Sequence, residues 1–132
     1  MPKQVNSKSD SMKIFLTYTA VIEAFTGLGL IFFPTIIARI LLNAELDGLP
    51  SILLAMVGGT AILSLACGAW LARYSIYSVI AIKISLLYNI SVTLVLLFGV
   101  FKMGFGGIAL WVVIVFHLVQ TIISLLLFQK RA

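Results

Sequence analysis

Charge is what this sequence has least of. Asp, Glu, Lys and Arg make up 10% of its 132 residues, against about 25% in an average soluble domain. A soluble chain this short leaves a large share of its surface facing solvent and needs polar atoms to cover it, so an ordinary globular fold is excluded. Cysteine is nearly absent. Cys67 alone cannot form an intramolecular disulfide framework or a thiolate metal cage. A single histidine, His117, removes His-rich metal sites, and no metal site is expected. The chain also lacks a Ser/His/Asp set, H-E-x-x-H, C-x-x-C and paired acidic motifs. Hydrolase, metalloprotease, thiol-disulfide and phosphotransferase chemistry therefore lose their support, and no catalytic residue is assigned.

What is present is apolar: 62% of the residues are hydrophobic and the mean hydropathy is +1.21. A helix needs about 20 apolar residues to cross a hydrocarbon core about 30 Å thick. Four runs reach that length, at about 14–33, 51–71, 76–100 and 107–128. They are continuously apolar rather than alternating, which points to helices and not to barrel strands. The expected fold is all-α, a transmembrane up-down four-helix bundle forming one domain. Residues 1–12 read as a polar cytoplasmic tail with a flexible tip. The first run exceeds a usual signal-peptide core and no clear A-x-A site follows it, so it is expected to be a retained span. Pro34 fixes its own φ and lacks a donor, so it ends or kinks the first span. Residues 35–42 are then expected to form a short interfacial helix, followed by a polar turn through Asn43, Glu45, Asp47 and Gly48.

Lys and Arg mark the expected orientation. Lys3, Lys8, Lys13, Arg73, Lys130 and Arg131 fall on one side of four crossings, and Lys102 with Glu45 and Asp47 on the other. Both termini are thus expected to be cytoplasmic, in a bacterial inner membrane. The net charge of +5 is accounted for by topology, and nucleic acid is not an expected partner. The lipid bilayer is.

Small residues should mark helix contacts in lipid. Thr60, Ser64 and Gly68 recur every four positions, widened by Gly58, Gly59 and Ala61, with Gly27 and Gly29 as counterparts on the first span. The stripe reads as internal packing, or else as a dimer interface. Cys67 beside it reads as a buried small filler.

Charged side chains at membrane depth are costly and so become candidates for function. Glu23 lies about 13 Å and Lys83 about 10 Å from the cytoplasmic edge at about 1.5 Å per residue. The two either pair, or Lys83 snorkels to the interface while Glu23 bonds backbone and hydroxyl groups. Tyr88 and Asn89 on the third span and His117 on the fourth lie nearer mid-bilayer, and Gln120 and Thr121 share a face with His117. Glu23, Lys83, Tyr88, Asn89, His117 and Gln120 are the expected lining of one polar interior, a ligand, ion or proton pathway. His117 alternatively serves as a structural hydrogen-bonding residue. Arg39 is expected at a lipid headgroup or other anion, or paired with Glu45 or Asp47. Trp70, Arg73, Tyr74, Tyr77 and Trp111 read as interface anchors. The Gly-rich turn at Lys102 follows no strand and lacks the P-loop pattern, so it is not a phosphate cradle.

The segment Ile22-Glu23-Ala24-Phe25-Thr26-Gly27-Leu28-Gly29-Leu30 with Pro34 and Arg39 resembles small bacterial four-helix membrane proteins of the DoxX-like kind. Ala66-Cys67-Gly68-Ala69-Trp70-Leu71-Ala72-Arg73, Tyr88-Asn89 and Leu110-Trp111 with His117 echo them further. The resemblance implies the four-helix fold. It also implies kinship with small subunits of quinone-linked oxidoreductases, although Ala55 and Met56 stand where such relatives often carry an arginine.

Three functions therefore stand open: binding or passage of a small molecule, ion or proton; anchoring or assisting a quinone- or haem-linked redox complex; and a structural or assembly role. No cofactor is expected on the first and third, and haem would need a second axial ligand from another subunit. A chain this short points to a homo-oligomer, since one bundle has little room for a solvated pathway.

Overall fold

The computed structural model describes residues 3–129, with side chains described from Ser9 onward. Lys130 and Arg131 and the side chains of Lys3 and Lys8, all used for the orientation, lie outside the described residues. The described chain is all-helical. Five helices follow one another: α1 (Lys3–Phe32), α2 (Pro34–Leu42), α3 (Gly48–Ala72), α4 (Ser78–Met103) and α5 (Ile108–Gln129). Four of them carry apolar stretches of membrane-spanning length, Ser9–Phe32 in α1 and the whole of α3, α4 and α5. An integral, polytopic membrane protein follows from those four lengths and compositions.

The first helix starts at Lys3, well before Ile14. Nothing after Pro2 interrupts it, because the next proline is Pro34 and the first glycine Gly27. Polar residues end an apolar run without ending a helix. Met12, in the segment read as tail, is buried with Phe15, Leu16, Ala20, Ala69 and Ile82 in an apolar cluster that Leu127 also packs against. Pro34 occupies the first turn of α2 after Phe33, whose N–H still donates to Gly29 O at 2.8 Å. The two helices are therefore joined by a kink, as expected of a proline that lacks a donor. Asn43 closes α2 in the left-handed region with φ 51°. The polar turn ends at Gly48, where φ of +76° suits a residue without Cβ, and Ser51 Oγ donates to Asp47 O at 2.7 Å. Gly104 closes α4 in the same left-handed way, with φ 73°.

Packing is uneven. α1 lies most extensively on α3, and α4 on α5, while contacts between the two pairs are lighter. Within the first pair Ala20 shares a groove with Ala66 and Trp70, while Gly27 meets Gly59 and Leu63. Residue number rises along one helix as it falls along the other, so the two run antiparallel. Their crossing is backbone on backbone. A Cβ on Gly27 would stand 2.8 Å from Gly59 O, and one on Gly59 would stand 2.7 Å from Gly27 O.

This bears out Gly27 and Gly59 as counterparts and corrects the reading of Thr60, Ser64 and Gly68 as internal packing. The buried face of α3 is Gly59, Ala66 and Ala69, whereas Thr60, Ser64, Cys67 and Gly68 are exposed. Gly58 and Gly68 have open space where a Cβ would be. Cys67 is consequently no buried filler but an exposed free thiol.

Candidate functional site

The buried polar residues form rows along three helices. On α4, Ser85, Asn89 and Thr93 recur every four positions and are all buried. On α5, His117, Gln120 and Ser124 follow at three and four. On α1, Thr19 and Glu23 are one turn apart and buried. Helical spacing of three or four places each row on one face, and these faces turn inward.

Asn89 is the hub of the α4–α5 pair. Its Nδ2 donates to Ser85 O at 2.7 Å and to Ser85 Oγ at 3.1 Å, which turns Oδ1 toward His117. His117 Nδ1 lies 2.6 Å from that Oδ1. An amide oxygen only accepts, so Nδ1 carries the hydrogen and donates, leaving Nε2 as the acceptor of the neutral ring. Thr93 Oγ1 donates to Asn89 O and Thr121 Oγ1 to His117 O, each at 2.8 Å. Tyr88 and Phe116 meet the imidazole edge-on, with ring centroids 5.8 Å and 5.5 Å away. Gln120 Nε2 reaches across to Thr19 Oγ1 at 3.1 Å, tying α5 to α1. Gln120 Oε1 and Ser124 Oγ are buried without a hydrogen-bond partner.

Glu23 is 8% exposed and, among the described residues, its carboxyl makes no hydrogen bond or ion pair; unlike Gln120 Oε1 and Ser124 Oγ it is not sealed off. It lines two cavities. One, of about 240 Å³, lies between α1, α3 and α4 and is shared with Thr19, Ser85, Ala72 and Tyr77. The other, of about 500 Å³, is bounded mainly by α1, α2 and α5, with Ile62 of α3 and Tyr88 of α4, and is shared with His117, Ile37 and Ala109. Ala72 and Tyr77 adjoin the α3–α4 turn, and Ala109 adjoins the start of α5. The cavities thus extend from Glu23 toward opposite ends of the helices.

Lys83 takes no part in this interior. It is exposed, with Nζ 5.1 Å from the centroid of the Phe128 ring, and the one ion pair among the described residues joins Arg39 to Glu45. Arg39 is therefore engaged with the carboxylate that follows α2. Arg73 lies over the Trp70 ring, 3.3 Å from its centroid, and donates to Trp70 O. Thr19, Ser85, Thr93 and Ser124 belong to the buried polar rows and were not singled out from the sequence, although their spacing from Glu23, Asn89 and Gln120 was there to be read. Among the described residues no three His, Cys, Asp or Glu side chains gather as a metal-holding group.

In chemical terms the interior offers one carboxyl open to two cavities, one imidazole held in a single tautomer, and aromatic walls. The chain matches no protein-family model, no curated protein and no solved structure.

Proposed function

We propose that this chain is a membrane-spanning up-down bundle, with α2 lying near one interface, that binds or passes a small molecule, ion or proton through the interior centred on Glu23. The position of Glu23 carries the reading: among the described residues it alone of the charged ones lines both cavities. A buried carboxyl without a partner is costly in a membrane interior. Such a cost is commonly met where the group works on something that arrives and leaves. Tyr88 and His117 line the same interior, and Asn89 and Gln120 brace it through their hydrogen bonds to His117 and Thr19. The distribution of Lys13, Arg73 and the terminal basic residues supports cytoplasmic termini.

The test is chemical access. The wild-type protein in lipid nanodiscs is treated with dicyclohexylcarbodiimide, a lipid-soluble carboxyl reagent, and digested for mass spectrometry. Glu23 should be modified. An unmodified Glu23, with the protein folded throughout, means a closed interior and overturns the reading.

A further inference from the structure

We infer that the larger cavity takes a lipophilic organic cation, an amine or onium ion with an apolar body, directly from the bilayer. This rests on the proposal that the interior around Glu23 is a binding site, and it names the class of ligand. Size comes first. At about 500 Å³ the cavity falls within the range of about 300–1,000 Å³ typical of small-molecule sites. Its charge is the second point. Among the described residues that line it, Glu23 is the only charged one. The two basic residues nearest in sequence depth are taken up elsewhere, Lys83 over Phe128 and Arg39 on Glu45. A lone carboxylate in a low-dielectric cavity attracts a cation and repels an anion.

The walls decide between kinds of cation. A small inorganic ion needs several oxygen ligands, and here most of the lining is aliphatic or aromatic. Tyr18, Phe116 and Tyr88 present rings, the first two with centroids 6.2 Å apart and tilted by 46°. Aromatic faces attract organic cations and strip little from them, because such ions are weakly hydrated. Access is the last point. Tyr18 and Phe25 on the cavity rim are 54% and 75% exposed on the outer face of α1, which in a membrane faces lipid. A ligand dissolved in the bilayer can therefore enter sideways past Tyr18 and Phe25.

Tetraphenylphosphonium is the probe, with tetraphenylborate as its anionic counterpart of equal shape. Binding to wild-type protein in nanodiscs is measured by equilibrium dialysis against empty nanodiscs of the same lipid. Saturable binding of the cation is expected, weakened about tenfold or more by Glu23→Gln and severalfold by Phe116→Leu. The borate should bind no better than to empty discs. The cation should also protect Glu23 of the wild-type protein from the carbodiimide, a readout that needs no variant to fold. Equal binding of both ions, unchanged affinity in Glu23→Gln, or absence of protection overturns the inference. If Glu23 is modified by carbodiimide but the cation does not bind, the ligand class is wrong and the proposed function stands. If Glu23 is not modified and nothing binds, both fall.

Discussion

Asn89 Oδ1 accepts from His117 Nδ1 across 2.6 Å, and this bond sets both the tautomer of the imidazole and the register of α4 against α5. Substituting Asn89→Leu leaves the His117 N–H buried without its acceptor, and His117→Phe leaves the Asn89 amide oxygen without its donor. Orphaning a buried polar group costs about 1–3 kcal/mol, while a hydrogen bond between membrane helices contributes on average about 0.6 kcal/mol. Each single variant should therefore lose about 1–2 kcal/mol, most of it from the group left behind. The double variant orphans neither member of the pair, keeps only the loss at Ser85 Oγ that Asn89→Leu already carries, and should cost clearly less than the sum. Reversible unfolding in mixed micelles measures the three values. Strict additivity would show that the two side chains do not interact.

The α1–α3 crossing makes a sharper demand on sequence than any polar contact in the molecule. A methyl group at Gly59 meets Gly27 O at 2.7 Å, and one at Gly27 meets Leu63 N at 2.9 Å. Backbone cannot step aside as a flexible side chain can, so the helices must separate. Gly59→Ala and Gly27→Ala should each destabilise by about 1–3 kcal/mol, the usual cost of overpacking. Gly68→Ala, where the space is open, should be neutral or slightly stabilising, since alanine is the better helix former by about 1 kcal/mol in exposed positions. The comparison separates close packing from glycine content as such, and the same unfolding assay reads it. Equal losses at Gly59 and Gly68 would refute the crossing.

The contrast between Gly59 and Gly68 also shows where the sequence is legible. Length and continuous apolarity mark the four long helices because lipid imposes both, and Pro34 marks the kink because it lacks a donor. Rotation about a helix axis is harder to read. In lipid the outer face is as apolar as the inner one, so the periodicity that orients a soluble helix is missing, and Thr60, Ser64 and Gly68 were as plausible a contact stripe as the Gly59, Ala66, Ala69 face that packs. Depth alone misled in the same way for Lys83. Its level suits Glu23, but it lies two positions from Ser85, about 200° around the helix at about 100° per residue. The row of Ser85, Asn89 and Thr93 already indicated which face was inward. Glu23 was identifiable from its charge alone. Its place between two cavities depends on the four other helices and could not be read from one.

Tyr74 offers a measurement at the end of the bundle where α3 turns into α4. Arg73 and, from α1, Lys13 stand beside its phenol, and together they hold it below the usual phenol range. Both cations stand close to the ring, with Lys13 Nζ at 4.6 Å and Arg73 Cζ at 4.7 Å from its centroid. Donors from a cation favour the phenolate over the neutral form, which is the direction of the shift. Titration of the ultraviolet tyrosinate band should show a step below the ordinary value of about 10 that Tyr74→Phe abolishes. Arg73→Gln and Lys13→Gln should each move that step upward, because both cations lower it. The folded-state value is depressed, so any stabilisation through this phenol is present above its unfolded value and lost as pH falls through the folded one. A step untouched by Tyr74→Phe would mean that the phenol between Arg73 and Lys13 is not the depressed one, and the packing of Lys13 against the α3–α4 turn would lose this support.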